Sequence, residues 1–202
     1  MRNLEQLLLA WSKYAWLIVA WGLSTFVSLL GLRLVGNQLG AQIGVRPFDL
    51  QTPLSLEQMV QQLPLYTAEA RGLYLQFIAI DTVFPLAAGV TLSLILGASL
   101  RTFDALRGRP LNLPWLVLLP LTATVLDWLE NVWFVLSIWS GDPYTPWAGV
   151  AVWTKNLKVW LSVGLISGSV LAFAVFVCAW RLIRSWRGHV INRGSQTRTP
   201  RT

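Results

Sequence analysis

Four long apolar runs constrain the fold of this chain more than any other feature. They cover residues 14–35, 73–96, 113–139 and 159–180, and each reaches the roughly 20 residues that a helix needs to cross a bilayer. Only 12% of the 202 residues are charged, against about 25% in a soluble domain. The pattern predicts an all-α, polytopic membrane protein with a four-transmembrane-helix bundle over residues 1–187.

The basic residues predict how this bundle is oriented. The chain has a net charge of +7, and eleven of its sixteen Lys and Arg residues fall on the side of the four runs that holds both termini. Basic residues favour the cytoplasmic side of a membrane. We therefore expect both termini in the cytoplasm and the protein in a bacterial plasma membrane.

The basic segment after the fourth run favours lipid over nucleic acid as its partner. Arg181, Arg184 and Arg187 follow the run directly. There they can meet anionic lipid headgroups, at about 1 kcal/mol for each basic residue near the surface. Residues 188–202 are polar and basic and predict a disordered cytoplasmic tail. The single cysteine excludes a Cys-based metal site, and the sequence leaves it unknown whether the protein binds a cofactor.

The long linker between the first two runs contains one helix signal of its own. Ser55 and Gln58 form a capping-box pattern, apolar residues then recur at helical spacing, and Pro64 ends the pattern. We expect a short amphipathic helix at the outer surface. It is either a connector or a lid over the bundle, and the pattern favours the connector.

Three acidic residues inside the apolar runs are the best indication of a functional site. Asp81 lies in the second run, and Asp127 and Glu130 lie in the third. A charged residue at the centre of a spanning helix costs roughly 2.5–3.5 kcal/mol on insertion scales, so such residues usually face the protein interior. At 1.5 Å per residue, all three would lie at similar depths in the outer half of the bilayer.

The surroundings of these acids define a candidate site. Asp127 and Glu130 share a helix face with Thr124 and Asn131. Pro85 has no N–H, so it deprives the carbonyl of Asp81 of its helical donor. We predict Asp81, Asp127 and Glu130 as catalytic residues. The residues predicted to bind a substrate or ion are Asn131, Thr124, Tyr74, Arg33 and Arg71, the two arginines being candidates for the positive charge that such a cluster needs.

Three functions fit these residues. A buried polar network favours an accessory or assembly subunit of a membrane complex, joined to partner subunits or to further copies of the chain. Alternatively, the acids perform acid–base chemistry on a lipid or isoprenoid substrate. A proton- or cation-coupled transporter is the third alternative, since acids within spans often mark such pathways. The spacing of Asp127, Glu130 and Asn131 does not by itself predict a metal site.

Overall fold

A computed structural model describes residues 2–111, 113–142 and 144–196 of the chain. In these residues the structure is helical, without strands. The α-helices are α1 (Arg2–Trp11), α2 (Ala15–Ile43), α3 (Leu56–Gln62), α4 (Ala68–Arg107), α5 (Leu119–Ser140), α6 (Pro146–Val159) and α7 (Gly168–Gln196). Short 3-10 turns cover Phe48–Leu50, Leu63–Leu65 and Pro114–Leu118, and a π-helical segment, Trp160–Ser167, joins α6 to α7.

Three helical segments are long and apolar enough to cross a membrane, which indicates a membrane protein. They are α2, α4 and the segment Pro114–Ser140, which ends in α5. They correspond to the first three predicted spans. The fourth, at 159–180, coincides with the π-helical segment and the first part of α7. A fourth crossing stays a prediction.

The bundle has two distinct ends. We call the end that carries residues 44–67 and 141–145 the loop end, and the end with α1 and residues 108–113 the terminal end. α2 stops at Gly44, whose left-handed conformation (φ 75°) turns the chain into the first linker. Thr67 caps α4, because its side chain accepts a hydrogen bond from the backbone N–H of Ala70. α7 continues to Gln196, into the predicted tail, and residues 197–202 lie outside the described residues.

The linker at the loop end is anchored in the bundle by an aromatic core. Phe48 is fully buried, and its ring centroid lies 5.0 Å from that of Tyr66 and 4.8 Å from that of Phe134. The neighbouring Asp49 is thereby carried toward the interior of the protein. α3 follows, and Ser55 and Gln58 form the predicted capping box. Whether α3 lies on a membrane surface stays a prediction.

α4 and α5 approach each other closely around Pro85. A Cβ at Gly89 would collide with the hydroxyl group of Thr124, so only glycine fits there. This approach lets Thr124 Oγ1 donate a hydrogen bond to the carbonyl of Pro85 at 2.7 Å. Trp128 Nε1 donates to the carbonyl of Thr82 at 2.9 Å, one turn away. Two side chains of α5 therefore support the backbone of α4 where proline weakens its own hydrogen-bond ladder.

α5 and α6 form an antiparallel helical hairpin. Residues 141–145 connect them, and the indole rings of Trp133 and Trp147 stack between the two helices at 5.4 Å. Two small residues of α6, Ala148 and Ala151, are fully buried, which allows the helix to lie close to its neighbours. The face that carries these alanines continues to Lys155 and Lys158 one and two turns further along α6.

Candidate functional site

An ion pair between α5 and α6 forms the centre of the candidate site. Lys158 Nζ lies 2.6 Å from Asp127 Oδ1 and 2.5 Å from Glu130 Oε2. Asp127 and Glu130 are one turn apart, so their side chains converge on a single ammonium group. Burial weakens solvent screening and strengthens this attraction. The two acids are therefore held together by a positive charge that lies between them.

A second lysine extends the network toward the loop end. Lys155 Nζ lies 3.5 Å from Glu130 Oε1, and both residues have only 2% of their surface exposed. The same ammonium donates a hydrogen bond to the backbone carbonyl of Asp49 at 2.6 Å. Lys155 thus links the hairpin of α5 and α6 to the linker that follows α2.

Asp49 joins the site as a further acid, outside the spanning helices. Its Oδ1 accepts a hydrogen bond from the hydroxyl of Tyr74 at 3.2 Å, while its Oδ2 is buried without a partner among the described residues. Burial raises the pKa of Asp49 to about 8, and the nearby positive charge of Lys155 offsets only part of that effect. Burial also raises the pKa of Tyr66, which lies against the same turn. Near neutral pH, Asp49 is accordingly a protonated or readily protonated carboxyl group.

Asp81 lies in the same region but, unlike Asp127 and Glu130, is not paired with a lysine among the described residues. Its carboxyl group is near the amide of Asn131 and the ammonium of Lys158. However, the ion pairs among the described residues all involve Asp127 or Glu130, and none reaches Asp81. Asp81 is half-buried, whereas Asn131 is buried. Of the three acids in α4 and α5, Asp81 is therefore the one that forms no ion pair among the described residues.

The structure brings most of the predicted site residues together. Asp81, Asp127 and Glu130 line one cavity, and Thr124 and Asn131 lie on the same buried face of α5. Tyr74 contacts the site through Asp49. These positions agree with the helical faces expected from the sequence, because the spacing of three and four residues survives in continuous helices.

The prediction that Arg33 or Arg71 supplies the compensating positive charge was wrong. Arg71 donates a hydrogen bond to the carbonyl of Tyr66 at 3.0 Å and stacks on Trp139, so it does not reach the acids. Arg33 lines the same cavity as the acids but is exposed and in no described ion pair. The charge comes instead from Lys155 and Lys158, which lie between the third and fourth apolar runs, in a linker expected at the outer surface.

One sequence signal could have identified the two lysines. Glu130 lies ten residues before the end of α5, and Lys155 lies nine residues after the start of α6. Asp127 and Lys158 are thirteen and twelve residues from the same points. An antiparallel hairpin with a short turn must bring residues at matching distances to the same level. Asp49 carries no comparable signal, since it reaches the site only through the burial of Phe48.

A large cavity opens onto this cluster along one face of α2. Its volume is about 1130 Å³, slightly above the roughly 300–1,000 Å³ typical of ligand sites. We call it the α2 groove. One wall is formed by α2 and the turn that follows, from Phe26 to Leu50, and the other by Phe77, Asp81 and Phe84 of α4. Asp127, Glu130 and Lys158 form its floor.

A smaller cavity of about 300 Å³ meets the cluster from the other side. It is lined by Pro85, Gly89 and Pro120, and by Ser162 and Ser167 of the π-helical segment. It shares Asp127 and Lys158 with the α2 groove. The ion pair therefore separates two spaces. π-helical turns occur frequently at functional sites, and this one begins two residues beyond Lys158.

The chemistry available here is that of carboxyl and ammonium groups. Among the described residues, no three His, Cys, Asp or Glu side chains are arranged to hold a metal ion. Lys158 occupies the position between Asp127 and Glu130 that a cation would take. The arrangement can transfer protons, and it can bind a polar group that enters through the α2 groove. No known family model, curated protein or solved structure matches this chain, so its site is interpreted from its own geometry.

Proposed function

We propose that this protein is a membrane-embedded enzyme that binds an amphiphilic lipid in the α2 groove and acts on its headgroup by acid–base chemistry. The observation that carries the proposal is the change of polarity along the groove. At one end it is lined by the exposed, apolar Phe26, Leu29 and Leu30. Toward the loop end follow Arg33, Asn37 and Arg46.

This order matches the structure of a lipid. Phe26 and Gly44 are separated by about 27 Å along α2, at 1.5 Å per residue. A hydrocarbon chain would contact the apolar end, and the headgroup would reach the charged residues toward the loop end. Apolar walls with a few polar groups to fix orientation are the usual character of a small-molecule site.

The acids provide distinct roles in such a reaction. Asp81 is half-buried, lines the groove and lacks an ion-pair partner among the described residues. It is the group that we propose exchanges a proton with the headgroup. Asp127 and Glu130 are paired with lysine and would hold Lys158 in place at the groove floor.

The groove also favours this function over the accessory role that the sequence alone favoured. A purely structural network needs no access from outside the protein. Buried interhelical hydrogen bonds in membranes contribute only about 0.6 kcal/mol on average, a modest return for burying several acids. An assembly subunit stays the alternative if no lipid occupies the groove.

Four membrane crossings and cytoplasmic termini complete the proposal. In a Cys178→Ala background, single cysteines at the exposed positions Arg109, Asp142 and Arg184 would be treated with a membrane-impermeant maleimide on intact cells. We expect labelling at Asp142→Cys only, because positions 109 and 184 would face the cytoplasm. Labelling of Asp142→Cys together with Arg184→Cys would overturn the fourth crossing.

The catalytic proposal can be tested without a known substrate. Purified wild-type protein and the Asp81→Asn variant would be reconstituted into vesicles of a bacterial polar lipid extract, and the lipids followed over time by mass spectrometry. We expect one lipid class to decrease with the wild type and not with Asp81→Asn. Glu69→Gln, an exposed change on the same helix outside the groove, should behave as the wild type. Equal turnover by Asp81→Asn, or no change in any lipid, would contradict the proposal.

A second function is favoured by the two cavities that meet at Asp127 and Lys158. A proton that moved along this ion pair would pass from one space to the other, as in a proton- or cation-coupled transporter. In vesicles with an imposed pH gradient, a transporter should dissipate the gradient, and Asp127→Asn should abolish this flux. A gradient that persists equally with and without wild-type protein would exclude this function.

A further inference from the structure

We infer that the α2 groove selects a lipid whose headgroup carries both a phosphate and a primary ammonium, with the phosphate at Arg33 and the ammonium at Asp81 and Asp127. The inference rests on the proposed lipid-binding function and names the class of its ligand. Its basis is the arrangement of charge across the groove.

Basic and acidic residues occupy opposite sides of the groove. Arg33 and Arg46 belong to the α2 wall, are exposed and form no ion pair among the described residues. A guanidinium group binds phosphate through paired hydrogen bonds. With Asn37 one turn beyond Arg33 on the same face, this wall presents hydrogen-bond donors and positive charge.

The opposite side has more acids than the protein neutralises. Three carboxyl groups of α4 and α5 line the groove, those of Asp81, Asp127 and Glu130. Against them, the network contains the two ammonium groups of Lys155 and Lys158. A cationic group on the ligand would remove the imbalance, whereas an anionic lipid without an amine would increase it.

Unpaired acceptor atoms support the same conclusion. Asp127 has 8% of its surface exposed and lines the groove, yet its Oδ2 has no donor among the described residues. Leaving a buried acceptor unsatisfied is costly, and an ammonium group supplies three N–H donors. The carboxyl group of Asp81, which also lines the groove, offers a further acceptor.

Arg33 and Asp81 also lie at similar depth. A Cβ at Gly31 would contact Ile80 at 3.4 Å, so Gly31 of α2 and Ile80 of α4 lie side by side. Arg33 and Asp81 are each within two residues of that contact. A headgroup whose phosphate lies at the α2 wall can therefore direct its ammonium inward, across the groove, without moving along the membrane normal.

Lipid binding to the purified protein tests this inference directly. Phosphatidylethanolamine, phosphatidylcholine and phosphatidylglycerol with identical chains would be added to wild-type protein in detergent, and the retained lipid measured by native mass spectrometry. We expect phosphatidylethanolamine to be retained about tenfold more than the others, the effect of one charge-assisted hydrogen bond. Phosphatidylcholine has the charge but no N–H donor, and phosphatidylglycerol has neither.

Two variants test the contributions of the acidic and the basic side of the groove separately. Asp81→Asn should abolish the preference for phosphatidylethanolamine but leave binding of phosphatidylglycerol unchanged. Arg33→Gln, an exposed change that folding should tolerate, should weaken all three lipids. Equal binding of the three lipids to the wild type would overturn the inference and leave lipid binding intact. If none of the lipids binds, the proposed function fails together with it.

Discussion

Lys158 joins α6 to α5 by placing its ammonium nitrogen 2.6 Å from Asp127 Oδ1, and the same nitrogen contacts Glu130. The contact decides the electrostatics of the interior. Acids that would repel one another in a medium of low dielectric share one positive charge instead.

Removing the charge of Lys158 should destabilise the protein strongly. Lys158→Met leaves Asp127 and Glu130 buried with less compensation, at a cost of about 3–5 kcal/mol for breaking a buried pair. The melting temperature in detergent should therefore fall, while Lys158→Arg, which keeps the charge, should recover much of the loss. A melting temperature of Lys158→Met equal to that of the wild type would show that the pair does not hold α5 and α6 together.

The acids should differ sharply in their contribution to stability. Glu130 has 2% of its surface exposed and pairs with both lysines, so Glu130→Gln should lower the free energy of unfolding by about 3 kcal/mol. Asp81 is in no described ion pair, so Asp81→Asn should cost less than about 1 kcal/mol. Chemical or thermal unfolding of both variants measures the difference. Similar losses would indicate that Asp81 belongs to the structural network.

The stability of the protein should depend on the protonation of Asp49. Burial raises the pKa of this carboxyl group from the ordinary 3.8 to about 8 in the folded protein. Between these values the folded state binds more protons than the unfolded state, so Asp49 makes stability fall as the pH rises. Asp49→Asn keeps an acceptor for Tyr74 but cannot ionise.

Melting curves of this variant at two pH values measure the effect. We expect Asp49→Asn to raise the melting temperature relative to the wild type at about pH 9. At about pH 4 we expect it to change the melting temperature little, because the Asp49 side chain of the folded wild type is then neutral, like that of asparagine. The comparison between variant and wild type at each pH cancels the titration of distant groups. A difference that stays constant with pH would show that Asp49 does not take up a proton on folding.

Two glycines of α4 should respond to alanine in opposite directions. At Gly89 the added Cβ would collide with Thr124, so Gly89→Ala should cost about 1–3 kcal/mol through overpacking. A Cβ added at Gly72 would have no atom within 4 Å, so Gly72→Ala should stabilise the helix by up to about 1 kcal/mol.

Thermal unfolding of both alanine variants provides the test, and a third variant identifies the cause. Thr124→Ala removes the colliding hydroxyl group, so the double change Gly89→Ala with Thr124→Ala should cost less than the sum of the single changes. Simple addition of the two losses would place the source of the strain elsewhere in the contact between α4 and α5.

Much of the candidate site follows from local patterns in the sequence. The spacing of Asp127, Glu130 and Asn131 puts them on one helix face regardless of what surrounds the helix. The three long apolar runs that correspond to α2, α4 and α5 are recognisable from hydropathy, and Pro85 predicts the weak point of α4. The lysines were harder to place, because a lysine near a turn resembles a residue of an outer loop until the pairing of the two helices is known.

The sequence by itself therefore determined the helices, the apolar character of their surfaces and the presence of acids in their interior. Only the tertiary structure decided which charge neutralises which acid, that Asp49 enters the site behind Phe48, and that a groove along α2 reaches the cluster. The reason is physical. Helix formation and hydropathy depend on residues close together in the chain, whereas an ion pair or a cavity depends on the distance between helices that are remote in sequence.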